Sequence, residues 1–149
     1  MSDDGLLLTF NAGSSTIKVG LFEADAAGAR RIAKGVIDFR QAPLSFRIIK
    51  GSETLAVELQ AEHSGDLQDV LADMLGWLAK QFDMSRVAAA CHRVVHGGER
   101  FTGPTRIDDA TVGALDALTV LAPLHQPPSL RLIRAIQHLR PDLVQTASF

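Results

Sequence analysis

The sequence is short of cysteine, of surplus basic charge and of long apolar runs, and each shortage removes a class of protein. A single cysteine, Cys91, cannot build an internal disulfide framework and suits a reducing, cytoplasmic setting. The net charge is −2, and Arg30-Arg31 is the one adjacent basic pair, so no basic stripe with interleaved aromatics offers itself to nucleic acid. No apolar stretch is long enough to span a bilayer. The acidic start, Met1-Ser2-Asp3-Asp4, lacks the basic region of a secretory signal. Zinc-ligand spacing, a Gly-x-Ser-x-Gly nucleophile and the G-x-x-x-x-G-K-[ST] phosphate loop are all missing. The expectation is a cytoplasmic protein that binds neither nucleic acid nor membrane.

What remains is an ordinary globular composition, 46% apolar and 21% charged over 149 residues, enough for one domain with a core. The apolar run Leu6 to Phe10 reads as a strand buried on both faces. It leads into Asn11-Ala12-Gly13-Ser14-Ser15-Thr16-Ile17-Lys18, and a second run, Val19 to Phe22, completes a hairpin. The hairpin tip has the parts a phosphate-gripping loop needs. Gly13 allows close backbone approach, three hydroxyls can donate, Lys18 carries charge and Asn11 offers a neutral oxygen. The plainer alternative is a surface hairpin with a polar tip.

Ile32 to Phe39 reads as a third strand, and Leu44 to Ile49 with Thr54 to Leu59 as a further hairpin around Lys50-Gly51-Ser52-Glu53. A helix capped by Ser64 follows, with Asp66 and Asp69 near its positive end. Its stripe of Leu67, Val70, Leu71, Met74, Leu75, Leu78 and Phe82 is predicted to pack on the sheet. Val87 to Cys91 is a short strand running into His92-Arg93-Val94-Val95-His96-Gly97-Gly98-Glu99. Asp108 or Asp109 caps a second helix that reaches Leu121. Leu124-His125-Gln126-Pro127-Pro128 reads as a rigid loop, Ser129 as the cap of a third helix, and Leu143 to Ser148 as a last strand. The chain stops at that strand's carboxyl end, where α/β folds gather ligands, and so looks cut. Arg93, emerging where the sheet stops, suits a carboxylate or phosphoryl group; the alternative is a structural pair with Glu99. His96 and His125 read as loop histidines, and Cys91 as a small buried hydrophobe.

Three stretches resemble the acetate/propionate/butyrate kinase family. Residues 11–18 resemble its signature N-[AC]-G-S-S-S-[IL]-K, with Thr16 in place of serine. Residues 92–99 match H-R-[VI]-V-H-G-G-E, and Ala122-Pro123-Leu124-His125 matches A-P-L-H-N-P, with Gln126 in place of asparagine. The resemblance implies an α/β domain of the actin/hexokinase/Hsp70 (ribonuclease H-like) kind: a mixed sheet with N-terminal antiparallel strands and helices packed on it. Residues 1–149 would be the N-terminal domain of a two-domain kinase that is a homodimer. By the resemblance, Asn11 would help place Mg²⁺, and Ser14, Thr16 and Lys18 would line the phosphoryl site. Arg93 would bind the acyl carboxylate or the phosphoryl group in flight. Val95 and Leu124 would wall the acyl pocket, and His125 would donate to the transferring group. The implied reaction is reversible phosphoryl transfer from ATP to acetate, giving acetyl phosphate and ADP. These residues alone are expected to be inactive, because a catalytic aspartate and the adenosine-holding domain would lie beyond Phe149. The isolated chain is also expected to self-associate through an uncovered apolar face. Alternatives are a kinase for propionate, butyrate or another short-chain acid, or a non-catalytic phosphate-binding module.

Overall fold

The computed structural model describes residues 5–149 apart from Ser14, Ala42, 60–66, Val95, His96, Arg100, Thr102 and His125. Strands β1 (Gly5–Ala12) and β2 (Thr16–Asp25) are the arms of the first hairpin, with Asn11 opposite Lys18 and Ala12 opposite Ile17. The Gly13 N–H donates to the Thr16 carbonyl at 2.8 Å and closes the turn. Strands β3 (Gly28–Asp38), β4 (Ser45–Lys50) and β5 (Glu53–Glu58) extend this antiparallel meander. β3 starts earlier than its β-branched centre suggests. The Asp25 carboxylate accepts from the N–H groups of Ala27 and Gly28, at 2.8 and 3.1 Å, so pairing begins directly after the turn. Gly51, at φ +61°, makes the sharp turn between β4 and β5.

Helix α1 (Leu67–Gln81) lies where its stripe predicts, with Val70, Leu71, Met74 and Leu78 fully buried. Its expected cap, Ser64, and Asp66 lie outside the described residues. After a 3-10 turn capped by Asp83, β6 (Val87–Arg93) runs parallel to β1, and β8 (Val144–Ser148) runs parallel to β6. A two-residue strand, β7 (Thr105–Arg106), pairs antiparallel with β8; it is too short to leave a pattern in sequence. The order of the described strands is β5-β4-β3-β2-β1-β6-β8-β7, a mixed sheet with its antiparallel half at the N-terminal side.

Helix α2 (Asp109–Ala117) is capped by Asp108, whose carboxylate accepts from the Thr111 N–H at 2.8 Å. Helix α3 (Gln126–Leu139) begins three residues before the expected Ser129 cap. Pro127 and Pro128 sit in its first turn, where N–H groups have no intrahelical acceptor and a fixed φ suits the helix, so the proline pair opens the helix instead of a loop. Gln126 is fully buried there, and its amide donates to the Leu115 carbonyl of α2 at 3.1 Å.

Helices α1 and α3 cover one face of the sheet. Leu6, Leu8, Phe10, Ile17 and Phe46 share a core with Met74, Leu78, Leu132 and Ile136. A smaller core joins α2 and α3 with Val94, Phe101, Ile107 and Ala147. β1 therefore alternates: Leu6, Leu8 and Phe10 are buried against the helices, while Leu7 and Thr9 are only partly covered on the other face. The run was expected to be buried on both faces; within this chain its second face is only partly covered, and among the described elements no helix lies over it.

Candidate functional site

Register lines up the polar ends of the strands. Asn11 on β1 sits opposite Lys18 on β2, and Arg93 on β6 sits opposite Ser148 on β8. β1 and β6 run in parallel with Phe10 beside His92, so the next residues, Asn11 and Arg93, fall side by side. Ser148, Arg93, Asn11 and Lys18 thus form one row across four strands, and all four line an open trough of about 620 Å³. The parallel strands β1, β6 and β8 all end at this row, the position where α/β sheets hold ligands.

Asn11, Lys18 and Arg93 are exposed, and among the described residues no acid pairs with Lys18 or Arg93. The alternative of an Arg93–Glu99 pair is not what the described residues make. Thr16 departs from its expected company. It lines a separate cavity of about 190 Å³ on the helix side with Gly13, Pro128 and Arg131. Leu124 is 76% exposed and is not among the residues lining either cavity. Ser14, Val95, His96 and His125, expected at the site, lie outside the described residues. Cys91 is half-buried and faces the trough, not the core.

Beneath the row lies His92, for which the sequence suggests no role. It is 2% exposed, stacks on Phe10 with ring centroids 5.3 Å apart, and meets the Gln145 Oε1 through Nε2 at 2.6 Å. The Gln145 amide nitrogen in turn donates to the Ile133 carbonyl of α3 at 3.3 Å. That orientation leaves the amide oxygen as acceptor, so the imidazole carries its proton on Nε2. Burial pushes the His92 pKa down to about 4, with the Gln145 hydrogen bond opposing in part, and the ring is neutral near pH 7. A neutral tether therefore ties β6 to β1, β8 and α3 directly below the residues that face solvent. A buried histidine is visible in sequence only as a polar residue at an inward strand position.

The donor set favours anions over a metal. No carboxylate lines the trough, and no group of three metal-ligating side chains occurs among the described residues. The Asn11 amide and the Thr9 and Ser148 hydroxyls offer only neutral oxygens there, which by themselves are too little to hold Mg²⁺. Unpaired lysine and arginine at strand ends can instead neutralise a phosphoryl or carboxylate group.

The sequence profile of the Acetokinase family matches residues 6–149. Acetate kinase of Rhodopseudomonas palustris (strain TIE-1) is 35% identical over 151 residues, covering 100% of this chain and 37% of that protein. Acetate kinase of Streptomyces coelicolor is 38% identical over 147 residues, covering 96% of this chain and 35% of that protein. Among solved structures, a propionate kinase from Francisella tularensis superposes with a TM-score of 0.85 at 27% identity, over 97% of this chain and 36% of that one. Acetate kinase of Porphyromonas gingivalis shares the fold at a TM-score of 0.79 and 23% identity, over 97% of this chain and 37% of that one. The fold is thus the actin-like one of the acid kinases, with the mixed sheet that the sequence implied. The chain spans little more than a third of the length of these relatives.

Proposed function

From the premise that the chain belongs to the acetokinase family, we propose that it forms the N-terminal domain of a two-domain kinase moving a phosphoryl group reversibly between ATP and acetate, giving acetyl phosphate and ADP. The observation that carries this reading is the row of Asn11, Lys18 and Arg93 at one end of a single trough. In the forward direction a carboxylate oxygen of acetate attacks the terminal phosphorus of ATP in line, and the bond to ADP breaks. The transferring group is anionic throughout, so the protein's contribution is positioning and charge neutralisation.

Arg93 is assigned the acyl carboxylate or the phosphoryl group in flight, for which a bidentate guanidinium fits. Lys18 balances charge on the phosphates, and Ser14 and Thr16 are assigned to the hairpin tip around them. His125 is assigned a hydrogen bond to the transferring group, and Val95 and Leu124 the wall of the acyl pocket. Magnesium is the expected partner of ATP in such chemistry. Because the residues described here do not by themselves form its site, none of these roles runs through the metal. The longer protein is the catalyst, and residues 1–149 alone are inactive.

Likeness to a propionate kinase supports a second reading in which the acid is longer by one methylene. A pocket distinguishes such homologues by only about 1–3 kcal/mol. Acyl phosphate trapping with hydroxylamine, in the presence of ATP and Mg²⁺, tests both. The full-length protein is expected to turn over acetate, with Arg93→Ala reducing kcat/KM on the order of 10³-fold. Turnover by residues 1–149 alone, or an unaffected Arg93→Ala, would overturn the assignment; a higher kcat/KM for propionate would select the second reading.

A further inference from the structure

Arg93 owes its place to the residue before it. The two are successive on β6, so the His92 ring packs on Phe10 in the interior while Arg93 stands exposed at the trough. The strands here offer little else to hold their register. β6 carries Ala88, Ala89 and Ala90 ahead of His92, and the residue opposite His92 on β8 is Ala147. Methyl groups interlock weakly across strands, so packing alone resists a slip of β6 only feebly. The His92–Gln145 bond supplies what is missing. His92 pairs with Ala147 and Gln145 with Ala90, so the two side chains meet diagonally on one face of the sheet. A slip of one residue would turn one of them to the opposite face and break the bond. Phe10, opposite His92 on β1, stacks on the other side of the ring, and three strands are held in one line.

Stability alone does not call for such a pair. Both side chains are almost wholly buried, and replacing two bonded polar groups by apolar ones of the same shape can be neutral or stabilising. What the hydrogen bond adds is direction. The His92 Nδ1 has no hydrogen-bond partner among the described residues, so the ring takes its orientation from the Gln145 bond and the Phe10 stack. Gln145 is fixed in turn. Its amide donates to the Ile133 carbonyl of α3, and its backbone carbonyl accepts from the Ile107 N–H at 2.8 Å. Just beyond Arg93 the ladder continues from the Val94 N–H to the Ser148 carbonyl at 2.9 Å, with Arg93 opposite Ser148.

We infer that His92 and Gln145 are a positioning pair for phosphoryl transfer: their bond locks β6 in register against β1 and β8 and so aims the Arg93 guanidinium at the transferring group. Neither residue touches substrate. The inference rests on the role assigned to Arg93 above and deepens it. A bidentate guanidinium works only within a narrow geometry, and a displacement of about 1 Å can cost roughly 10²-fold in rate.

The test uses the full-length protein and acyl phosphate trapping. Gln145→Leu keeps the bulk of the side chain and removes the acceptor. It is expected to lower kcat/KM for acetate roughly 10- to 100-fold and to leave the KM for ATP unchanged. His92→Leu should fall with it, whereas His92→Gln, which keeps an N–H donor, should recover most of the activity. In an Arg93→Ala background Gln145→Leu should cost little more, because the group it aims is gone. Met74→Ala serves as the control: it weakens the core beneath α1 without touching the pair, and should leave kcat/KM near the native value. Unchanged kinetics in Gln145→Leu, losses that simply multiply with Arg93→Ala, or an equal loss in Met74→Ala would overturn the inference. Hydrogen exchange of residues 90–94 reads the register without turnover. Gln145→Leu should speed it about tenfold relative to Met74→Ala, and equal exchange in the two would also overturn the inference. A native protein that forms no acyl phosphate overturns the kinase reading instead, and the exchange difference then decides the register lock by itself.

Discussion

The two faces of the sheet are built by opposite rules. On the helix side nearly every contact is settled within the chain. Phe46 is fully buried and meets Trp77 edge-on at 5.8 Å, and Met74, Leu71 and Ile37 fill the space around them. One of the buried polar groups there, His92, meets Gln145 through Nε2. On the other face the same strands present Lys18, Lys34, Arg47 and Arg93 with no partner among the described residues. One face carries the described core, and on the other no described helix covers the strands. Strand alternation makes this division possible, because successive residues can serve folding and recognition separately.

The strongest way to break the comparison is on the helix side. Phe46→Ala removes a fully buried ring from between sheet and α1 and is expected to destabilise the domain by about 3–5 kcal/mol. Urea denaturation followed by the fluorescence of Trp77, the single tryptophan, measures it. A loss below about 1 kcal/mol would mean that the covered face is not the main core.

The second test uses pH. His92 has its folded pKa lowered from 6.5 to about 4, so the unfolded chain takes up a proton before the folded one does. The stabilising contribution is whole above pH 6.5 and is lost as pH falls toward 4, for a total on the order of 3 kcal/mol. Thermal melts at steps from pH 7.5 to 4.5 should show this decline in the native sequence. His92→Gln should lose that part of the slope while starting from a lower stability at neutral pH. An unchanged slope would place the acid sensitivity in other groups.

The smallest effect is expected on the open face. Lys34→Ala and Arg47→Ala should each change stability by less than about 0.5 kcal/mol, since exposed and unpaired cations contribute little to folding. Chemical denaturation of each variant checks it. A loss above about 1 kcal/mol would show that these side chains hold the fold and would erase the division between the faces.

Much of this organisation is legible in the residues themselves. The stripe from Leu67 to Phe82 announces α1 and the face it buries, and Asp108 caps α2 as its position before a helical run suggests. Gly51-Ser52 between two apolar runs announces the hairpin of β4 and β5. Prolines proved ambiguous in sequence, because Pro127 and Pro128 fit a rigid loop and a helix's first turn equally well. Thr16 and Lys18 look like neighbours in a motif, yet Lys18 lines the large trough and Thr16 a separate, smaller cavity. The identity of Gln126 carries no hint that its amide would be buried against α2.

By itself the sequence determined most of the segments that become strands and helices, through apolar spacing and caps, and which local motifs resemble those of the family. Those are short-range properties, set by a residue and its near neighbours in the chain. Only the tertiary structure decided that Asn11, Lys18, Arg93 and Ser148 stand in one row, because that depends on the register of four strands up to 137 positions apart (11 to 148). It also decided that His92 is neutral, since its pKa follows from burial against Phe10 and Gln145 and not from its neighbours in sequence. And it separated the two faces, because which side of a strand is covered depends on where α1 and α3 return to pack.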